Sequence, residues 1–319
     1  MSPKRRLGKK LIKAFLPILL TIVLAVGISL GLIVYGVTRP PRSPYLVTKE
    51  SFSQISGQAS KVTDQFWMNR DGTQARGWLL RGFEGAPGVI LLHRYGTDRS
   101  WLFNLGVKLN ETTNFTILWP DLRGHGLDPP VKWTSFGVRE GDDVLAAVDF
   151  LRSVKTSNGE QYVSDELGIY GVELGAFAAL KGAQSQSNIL ALVLDSVPDS
   201  SDDLVQSAVK ADIGVSHELI ERLVRQSLRA YFLGNFQNTN ACEVANSFTN
   251  RRILLLSGPE VTDLRDSTNA LSKCFPASVN LEMTTDLPLT GYNLPSATGE
   301  QGERYDRRVI DFFDKYLRH

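Results

Sequence analysis

One glutamate, Glu173, lies where the local pattern would place a reactive side chain. It stands between two glycines in Gly171-Val172-Glu173-Leu174-Gly175, and this segment joins a predicted strand to a predicted helix. A sharp turn of this kind presents its central residue and requires small residues two positions before and after it. The spacing therefore predicts a tight turn with a carboxylate at its point. A carboxylate can act as a nucleophile or as a general base.

Few other residues could assist Glu173. His93 follows one predicted strand, and Glu260 and Asp263 follow another. No histidine occurs between His217 and His319. Nucleophilic catalysis needs a base that takes and returns a proton. The sequence therefore offers carboxylates that could react but few groups that could activate them.

Metal and cofactor chemistry is not indicated. The sequence contains neither an HExxH nor a CxxC pattern, and we predict no metal and no cofactor. Cys242 and Cys274 are too few for a disulfide framework. Two buried thiols and one disulfide both remain open, since the choice depends on the compartment that the protein faces.

A long apolar segment lies near the amino terminus. Residues 14–37 carry no charge, and as a helix they would span about 36 Å, enough to cross a bilayer core. A cleaved signal peptide would have a shorter apolar region of about 7–15 residues. We therefore predict a permanent transmembrane helix over residues 14–37, which makes the lipid bilayer a partner of this chain.

Charge is distributed unevenly along the chain. Residues 1–44 contain eight of the 35 Lys and Arg residues and none of the 34 acids, so the remainder carries a net charge of −7. Basic residues concentrated before the apolar segment predict a cytoplasmic amino terminus and a body on the other side of the membrane. The acidic body gives no reason to expect a nucleic-acid partner.

Strand and helix patterns alternate through the body. A hairpin is predicted around Asp71-Gly72, and short apolar strands then alternate with helices. This alternation predicts an α/β fold with a mostly parallel sheet covered on both sides. The predicted segments are a basic amino terminus (1–13), a transmembrane helix (14–37), a Pro-rich stalk (38–64) and one domain (65–319) with a helical cap at about 200–249.

Four landmarks occur in a characteristic order in this domain. They are the strand ending in His93-Arg94-Tyr95-Gly96, the segment Asp121-Leu-Arg-Gly-His-Gly126, the turn at Glu173, and the strand ending in Asp195-Ser196. The arrangement resembles the α/β-hydrolase superfamily, in particular its peptidase- and esterase-like single-domain members. The resemblance implies an α/β-hydrolase fold over about residues 65–317, in which Glu173 occupies the nucleophile elbow.

The sequence departs from the pattern of this family at each catalytic position. The resemblance implies a serine, cysteine or aspartate where Glu173 stands, and a histidine where Tyr292 stands. At the position of the acid the sequence has valine, with Glu260 and Asp263 on either side. The donors of an oxyanion hole survive, namely the backbone N–H of Leu174 and one at Arg94 or Tyr95.

Two of these departures bring opposite charges together. The resemblance implies glycine where Arg94 stands, close to the elbow, and a buried carboxylate is costly unless it is paired or hydrogen-bonded. We therefore predict that Glu173 accepts hydrogen bonds from Arg94, from the oxyanion-hole N–H groups or from Tyr292, and that an ion pair between Glu173 and Arg94 fills the site.

The resulting functional prediction is a membrane-anchored, non-catalytic module that binds or scaffolds an unknown small molecule or protein. The alternative is an active hydrolase of the ester, peptide or epoxide type that uses Glu173 or a displaced catalytic set.

Overall fold

The computed structural model describes residues 3–41, 44–54, 56–214, 217–285, 287–293 and 299–318. The chain divides into two compact units. Residues 1–38 and 205–236 form the first, which we call the helical unit. Residues 39–204 and 237–319 form the second, which we call the sheet unit.

Eight strands form one sheet in the sheet unit. They are β1 (Thr63–Met68), β2 (Gln74–Leu80), β3 (Gly88–Leu92), β4 (Thr116–Pro120), β5 (Leu167–Val172), β6 (Ile189–Asp195), β7 (Arg252–Leu256) and β8 (Asn280–Thr284). The spatial order is β1-β2-β4-β3-β5-β6-β7-β8. Strand β2 runs antiparallel to both of its neighbours, and the remaining pairs are parallel. The mostly parallel sheet predicted from the alternating pattern is confirmed.

The central strands lie between layers of helices. Every residue of β3, β4 and β5 is buried, as expected for strands that are covered on both faces. The helices are α1 (Pro3–Val37), α2 (Lys49–Ser53), α3 (Phe103–Thr113), α4 (Glu140–Ser153), α5 (Leu174–Gln184), α6 (Ser201–Ile213), α7 (Glu218–Tyr231), α8 (Ala241–Ala245), α9 (Thr262–Ser272) and α10 (Gly299–Leu317).

The helical unit contains α1, α7 and most of α6, and α1 contacts α7 within it. Lys13–Val37 has a mean hydropathy of 2.7 and is long enough to cross a membrane. Helices α6, α7 and α8 fall in the predicted cap region, but residues 205–236 cluster with α1. The sequence pattern had given no sign of this association.

Part of the predicted stalk packs against the sheet unit. The Tyr45 ring contacts Trp78 at 5.4 Å between centroids, and the Tyr45 hydroxyl donates to Asp121 at 3.2 Å. The backbone N–H of Leu46 donates to the Ser100 hydroxyl at 2.8 Å. Aromatic packing and partly buried hydrogen bonds therefore hold this part of the Pro-rich stalk against the sheet.

A disulfide joins Cys242 of α8 to Cys274, which follows α9. The two Cα atoms are 5.3 Å apart, and 32 positions separate the residues in the sequence. The choice that the sequence left open is therefore resolved in favour of a disulfide, which links the segment after α6 and α7 to the layer beside β7.

Candidate functional site

The turn between β5 and α5 has the backbone of a nucleophile elbow. Glu173 adopts φ 47° and ψ −107°, a conformation that side-chain-bearing residues rarely adopt. A Cβ on Gly171 would lie 2.4 Å from the carbonyl oxygen of Gly175, and a Cβ on Gly175 would lie 2.3 Å from that of Leu92. Only glycine fits at either position, because the clashing atoms belong to the backbone.

Backbone hydrogen bonds hold this turn in place. The N–H of Glu173 donates to the carbonyl of Asp195 at the end of β6, at 3.0 Å. Its carbonyl accepts from the N–H of Phe177 in the first turn of α5, at 2.9 Å. These two bonds offset the cost of the unusual conformation, which is about 1–3 kcal/mol for one such residue.

The Glu173 side chain is bound by backbone donors. It is 3% exposed, and its carboxylate accepts from the N–H of Tyr95 at 3.0 Å. The backbone N–H of Leu174 also hydrogen-bonds to it. Tyr95 and Leu174 are the groups predicted to form an oxyanion hole, and the carboxylate of Glu173 now occupies their donors.

Burial dominates the electrostatics of this carboxyl group. It raises the pKa of Glu173 to about 7, although the charge of Arg94 and the two backbone hydrogen bonds act in the opposite direction. Near neutral pH the group is therefore divided between its acid and its carboxylate forms.

Arg94 lies close to Glu173 but does not form the predicted ion pair. Among the described residues, no ion pair within 4.0 Å joins these two side chains. The guanidinium instead lies between two rings, at 4.5 Å from the centroid of Tyr292 and 4.9 Å from that of Trp101. It also donates to the carbonyl of Tyr95 at 3.2 Å. The guanidinium therefore contacts aromatic faces and a backbone carbonyl, and the carboxylate of Glu173 is bound by backbone N–H instead.

Tyr292 lies beside the elbow, as the resemblance implied for the histidine position. Its pKa is raised by burial and, to a smaller extent, by the charge of Glu173. A phenol with a raised pKa stays protonated at neutral pH, so it is a poor base. Tyr292 therefore contributes a ring that stacks on Arg94 rather than a proton acceptor.

Asp195 holds the loop that carries Tyr292. Its carboxylate is fully buried and accepts from the N–H of Gly291 at 2.7 Å and from the hydroxyl of Tyr305. The Tyr305 hydroxyl also lies 2.7 Å from that of Tyr170. Burial raises the pKa of Asp195 to about 6. The sequence did not single out Tyr305, because nothing distinguishes it from other core residues of an amphipathic helix.

The two acids beside the expected acid position lie apart from the elbow carboxylate. Glu260 accepts a hydrogen bond from the Thr290 hydroxyl at 2.5 Å, and its charge acts on Asp195. Asp263 is exposed in the first turn of α9. Val261 begins that helix as its amino-terminal cap. Among the described residues, neither acid forms a hydrogen bond or an ion pair with Glu173 or Tyr292.

The described histidines are engaged by the backbone. Nδ1 of His93 donates to the carbonyl of Arg94 at 2.8 Å, and its Nε2 accepts from the N–H of Leu122 at 3.0 Å. Nδ1 of His125 donates to the carbonyl of Arg123 at 2.8 Å. Burial lowers the pKa of His93 to about 4 and that of His125 to about 3, so both rings are neutral.

His217 caps α7 by accepting the N–H of Leu219 at 3.2 Å. Hence none of the three described histidines hydrogen-bonds to a carboxylate. His319 lies outside the described residues. No group of three His, Cys, Asp or Glu among the described residues could hold a metal ion.

Chemically, this arrangement offers one buried carboxyl group near its midpoint of ionisation, bound by two N–H donors. It lacks a neighbouring imidazole to activate water, at least in the part of the chain that the structure describes. An acyl-transfer site would need its N–H donors available for the oxyanion, and here a side chain of the protein occupies them.

Comparisons with known proteins agree on the fold. No protein-family model matches the sequence, and no curated protein matches it. Many solved structures do match. An esterase of Pyrococcus furiosus has a TM-score of 0.66 at 19% identity, with 88% of this chain and 98% of the esterase covered.

Two further structures extend the likeness. An esterase from the archaeon Pyrobaculum calidifontis has a TM-score of 0.56 at 13% identity, covering 84% of this chain and 91% of its own. The alpha/beta hydrolase GrgF from Penicillium sp. sh18 has a TM-score of 0.59 at 14% identity, covering 81% and 99%. At these identities the likeness concerns the fold and carries no activity with it.

Proposed function

This chain has the α/β-hydrolase fold, and from that premise we propose that it is a membrane-anchored module whose elbow does not hydrolyse substrates. The sheet unit would bind or scaffold a small molecule or a protein partner. The bilayer would hold it through residues 14–37.

One observation carries the non-catalytic part of the proposal. The carboxylate of Glu173 accepts from the N–H of Tyr95 at 3.0 Å and from that of Leu174. Substrate oxygen would have to displace a covalently attached, buried ligand from both donors. Such an internal competitor acts at a very high effective concentration, so the oxyanion hole is closed to acyl substrates.

Three features support the membrane anchor and its orientation. The most apolar 18-residue window of Lys13–Val37 is only 6% buried, so its side chains have no protein core to fill. Basic residues precede this segment, which favours a cytoplasmic amino terminus. The Cys242–Cys274 disulfide suits a sheet unit that faces an oxidising compartment.

Activity profiling of the full chain in lipid nanodiscs tests the main proposal. Ester, amide, epoxide and haloalkane panels would be compared for the wild type, Glu173→Ala and Glu173→Ser. We expect no turnover by any of the three proteins, because no neighbouring base activates a nucleophile at the elbow. Wild-type turnover that is lost in Glu173→Ala, but kept in the exposed control variant Glu160→Ala, would refute the proposal.

A specific observation favours the alternative of an active hydrolase. The pKa of Glu173 is raised to about 7, and general bases and nucleophiles at functional sites often have pKa values in this range. In that case the same panel would reveal turnover that rises with pH around a midpoint of about 7 and disappears in Glu173→Gln.

Protease accessibility tests the orientation. A tag before residue 4 and a second tag after residue 319 would be followed in intact cells treated with protease. We expect loss of the carboxyl-terminal tag and protection of the amino-terminal tag. The reverse pattern would overturn the proposed orientation while leaving the non-catalytic proposal intact.

A further inference from the structure

Helix α7 carries apolar side chains on the face opposite its packed face. Val224 and Leu228 are fully buried, whereas Leu219 is 57% and Leu223 37% exposed. Residues four apart lie on one face of a helix, so Leu219 and Leu223 form an exposed stripe on the far side from Val224 and Leu228. The turn after the helix adds Leu233, which is 88% exposed.

Arginine side chains border this stripe along one edge. Arg222 and Arg229 are exposed and lie next to Leu219, along one edge of the stripe. Arg222 pairs with Glu218 at 3.2 Å, but both side chains remain more than half exposed, so this pair contributes little stability. An apolar stripe bordered by long cationic side chains is typical of helices that lie in a membrane interface.

The position of α7 along α1 agrees with this pattern. Among the described side chains of α1, the fully buried ones are Val34 and Val37, near its carboxyl end, so the contact with α7 falls there. Near the same end, Gly36 adjoins Asp212 at the end of α6. The 25 residues of Lys13–Val37 would span about 37 Å, which exceeds a hydrocarbon core of about 30 Å. The last turns of α1 therefore reach the headgroup region.

We infer that α7 lies in the headgroup region of the leaflet at the carboxyl end of α1. Leu219, Leu223 and Leu233 insert between the acyl chains, and Arg222 and Arg229 meet lipid phosphates. The inference rests on the proposed membrane anchor and extends it, because the attachment becomes a spanning helix together with an interfacial helix. Continuity with the span favours lipid over a protein as the occupant of this face.

Depth measurements on the full chain in vesicles test the inference. Leu223→Cys would be labelled with an environment-sensitive fluorophore, which is selective because both native cysteines are in the disulfide. The vesicles would contain phosphatidylcholine and phosphatidylglycerol, with spin labels placed either near the headgroup or deep in the acyl chain. We expect a blue-shifted emission that the shallow spin label quenches more than the deep one, as for a depth of about 5–10 Å. Leu219→Cys, at a more exposed position, gives an independent second site.

Two control sites separate the failure of this inference from the failure of the anchor. Leu24→Cys in α1 reports the bilayer core, and Glu160→Cys in the sheet unit reports an exposed position. A Leu223 label that behaves like the Glu160 label, with the Leu24 label deep in lipid, would overturn the interfacial position alone. A blue-shifted Leu223 label that neither spin label quenches would also overturn it, since a protein or a second copy would then cover α7. A Leu24 label in water would refute the anchor itself.

Discussion

Two parts of the elbow region follow different rules. The turn frame, formed by Gly171 and Gly175, meets every steric demand of a nucleophile elbow, with clash distances of 2.4 and 2.3 Å for an added Cβ. The polar positions around it, Glu173, Arg94 and Tyr292, hold none of the usual catalytic groups. The backbone of a nucleophile elbow is therefore present, with a carboxylate at its point.

This difference shows that the shape of the turn does not depend on the reactivity of its central residue. Close approach between β5, α5 and β3 requires glycine, whatever side chain occupies the point of the turn. The same shape directs that side chain at two N–H donors, so a carboxylate there becomes a ligand of its own backbone. Substitutions in the two parts should therefore differ in size and in kind.

The largest effect is expected in the turn frame. Gly175→Ala places a methyl group against the carbonyls of Leu92 and His93, and neither can move without disturbing β3. We expect a loss of about 3 kcal/mol in the free energy of unfolding. Urea denaturation of the full chain in detergent measures it. Gly57→Ala, where no atom lies within 4 Å of the added Cβ, is the matched control and should stay near wild type. Equal stability of the two variants would show that the frame is not rigid.

The next effect concerns the charge on Glu173. The pKa of Glu173 is raised from 4.5 to about 7, so between these values the folded protein holds a proton that the unfolded chain has lost. The free energy of unfolding therefore falls as pH rises through this window. Glutamine does not ionise, so this pH dependence disappears in Glu173→Gln. From the lower to the upper end of the window, the free energy of unfolding of the variant should rise by about 2 kcal/mol relative to that of the wild type.

Urea denaturation at a series of pH values measures this gain. Glu160→Gln, at an exposed position, is the control and should run parallel to wild type. Parallel curves for Glu173→Gln and wild type would mean that Glu173 ionises in the folded protein as it does in the unfolded chain. Burial lowers the pKa of His93 from 6.5 to about 4 and that of His125 to about 3, so both act in the opposite direction over a pH range that overlaps this window, but they are common to all these variants.

A smaller effect is expected from the cation between the two rings. Arg94→Met removes a guanidinium that contacts Tyr292 and Trp101, for a loss of about 1 kcal/mol in stability. It also removes a charge that lowers the pKa of Glu173, so this pKa should rise. Carbon NMR of the Glu173 carboxyl group during a pH titration measures that rise.

Arg81→Met is the matched control for this variant. Arg81 contacts the ring of Tyr162 at 5.0 Å and is not among the groups that act on Glu173. It should lose similar stability without changing the pKa of Glu173. If the pKa of Glu173 were unchanged in Arg94→Met, the charge of Arg94 would have no effect on the elbow carboxyl group.

The smallest effect is expected at the hydroxyl of Tyr292. This hydroxyl forms no hydrogen bond among the described residues, and the ring packs on Arg94. Tyr292→Phe should therefore change stability by less than about 0.5 kcal/mol. Tyr305→Phe, which loses buried hydrogen bonds to Asp195 and Tyr170, should cost about 1–2 kcal/mol in the same urea assay. A larger loss in Tyr292→Phe would assign its hydroxyl a role at the elbow.

The sheet was largely predictable from the sequence. Strands Thr116–Pro120 and Leu167–Val172 begin and end where their apolar runs do, because fully buried parallel strands leave an unbroken hydrophobic pattern. The elbow was predictable for a related reason, since its glycines encode a steric requirement of the backbone. Local patterns of this kind do not depend on distant parts of the chain.

Side-chain direction and long-range packing were not predictable in this way. The sequence predicted an ion pair of Arg94 with Glu173, but it could not show that two aromatic rings would contact the guanidinium. The docking of Tyr45 on Trp78 and the grouping of residues 205–236 with α1 leave no periodic signal. These contacts join segments far apart in sequence, and single-sequence patterns carry no information about such pairings.

The hydrogen bond from Glu173 to β6 belongs to a longer series at the carboxyl edge of the sheet. The N–H groups of Glu173, Ser196 and Ser257 donate in turn to the carbonyls of Asp195, Leu256 and Thr284. Each bond is formed by the residue that follows a parallel strand. The turn at Glu173 therefore cannot move away from β6 unless the ends of the neighbouring strands separate as well. In native-state hydrogen exchange, these three amides should exchange only through global unfolding, at a common free energy. The point of the elbow would then be among the last places in the sheet unit where the backbone meets water.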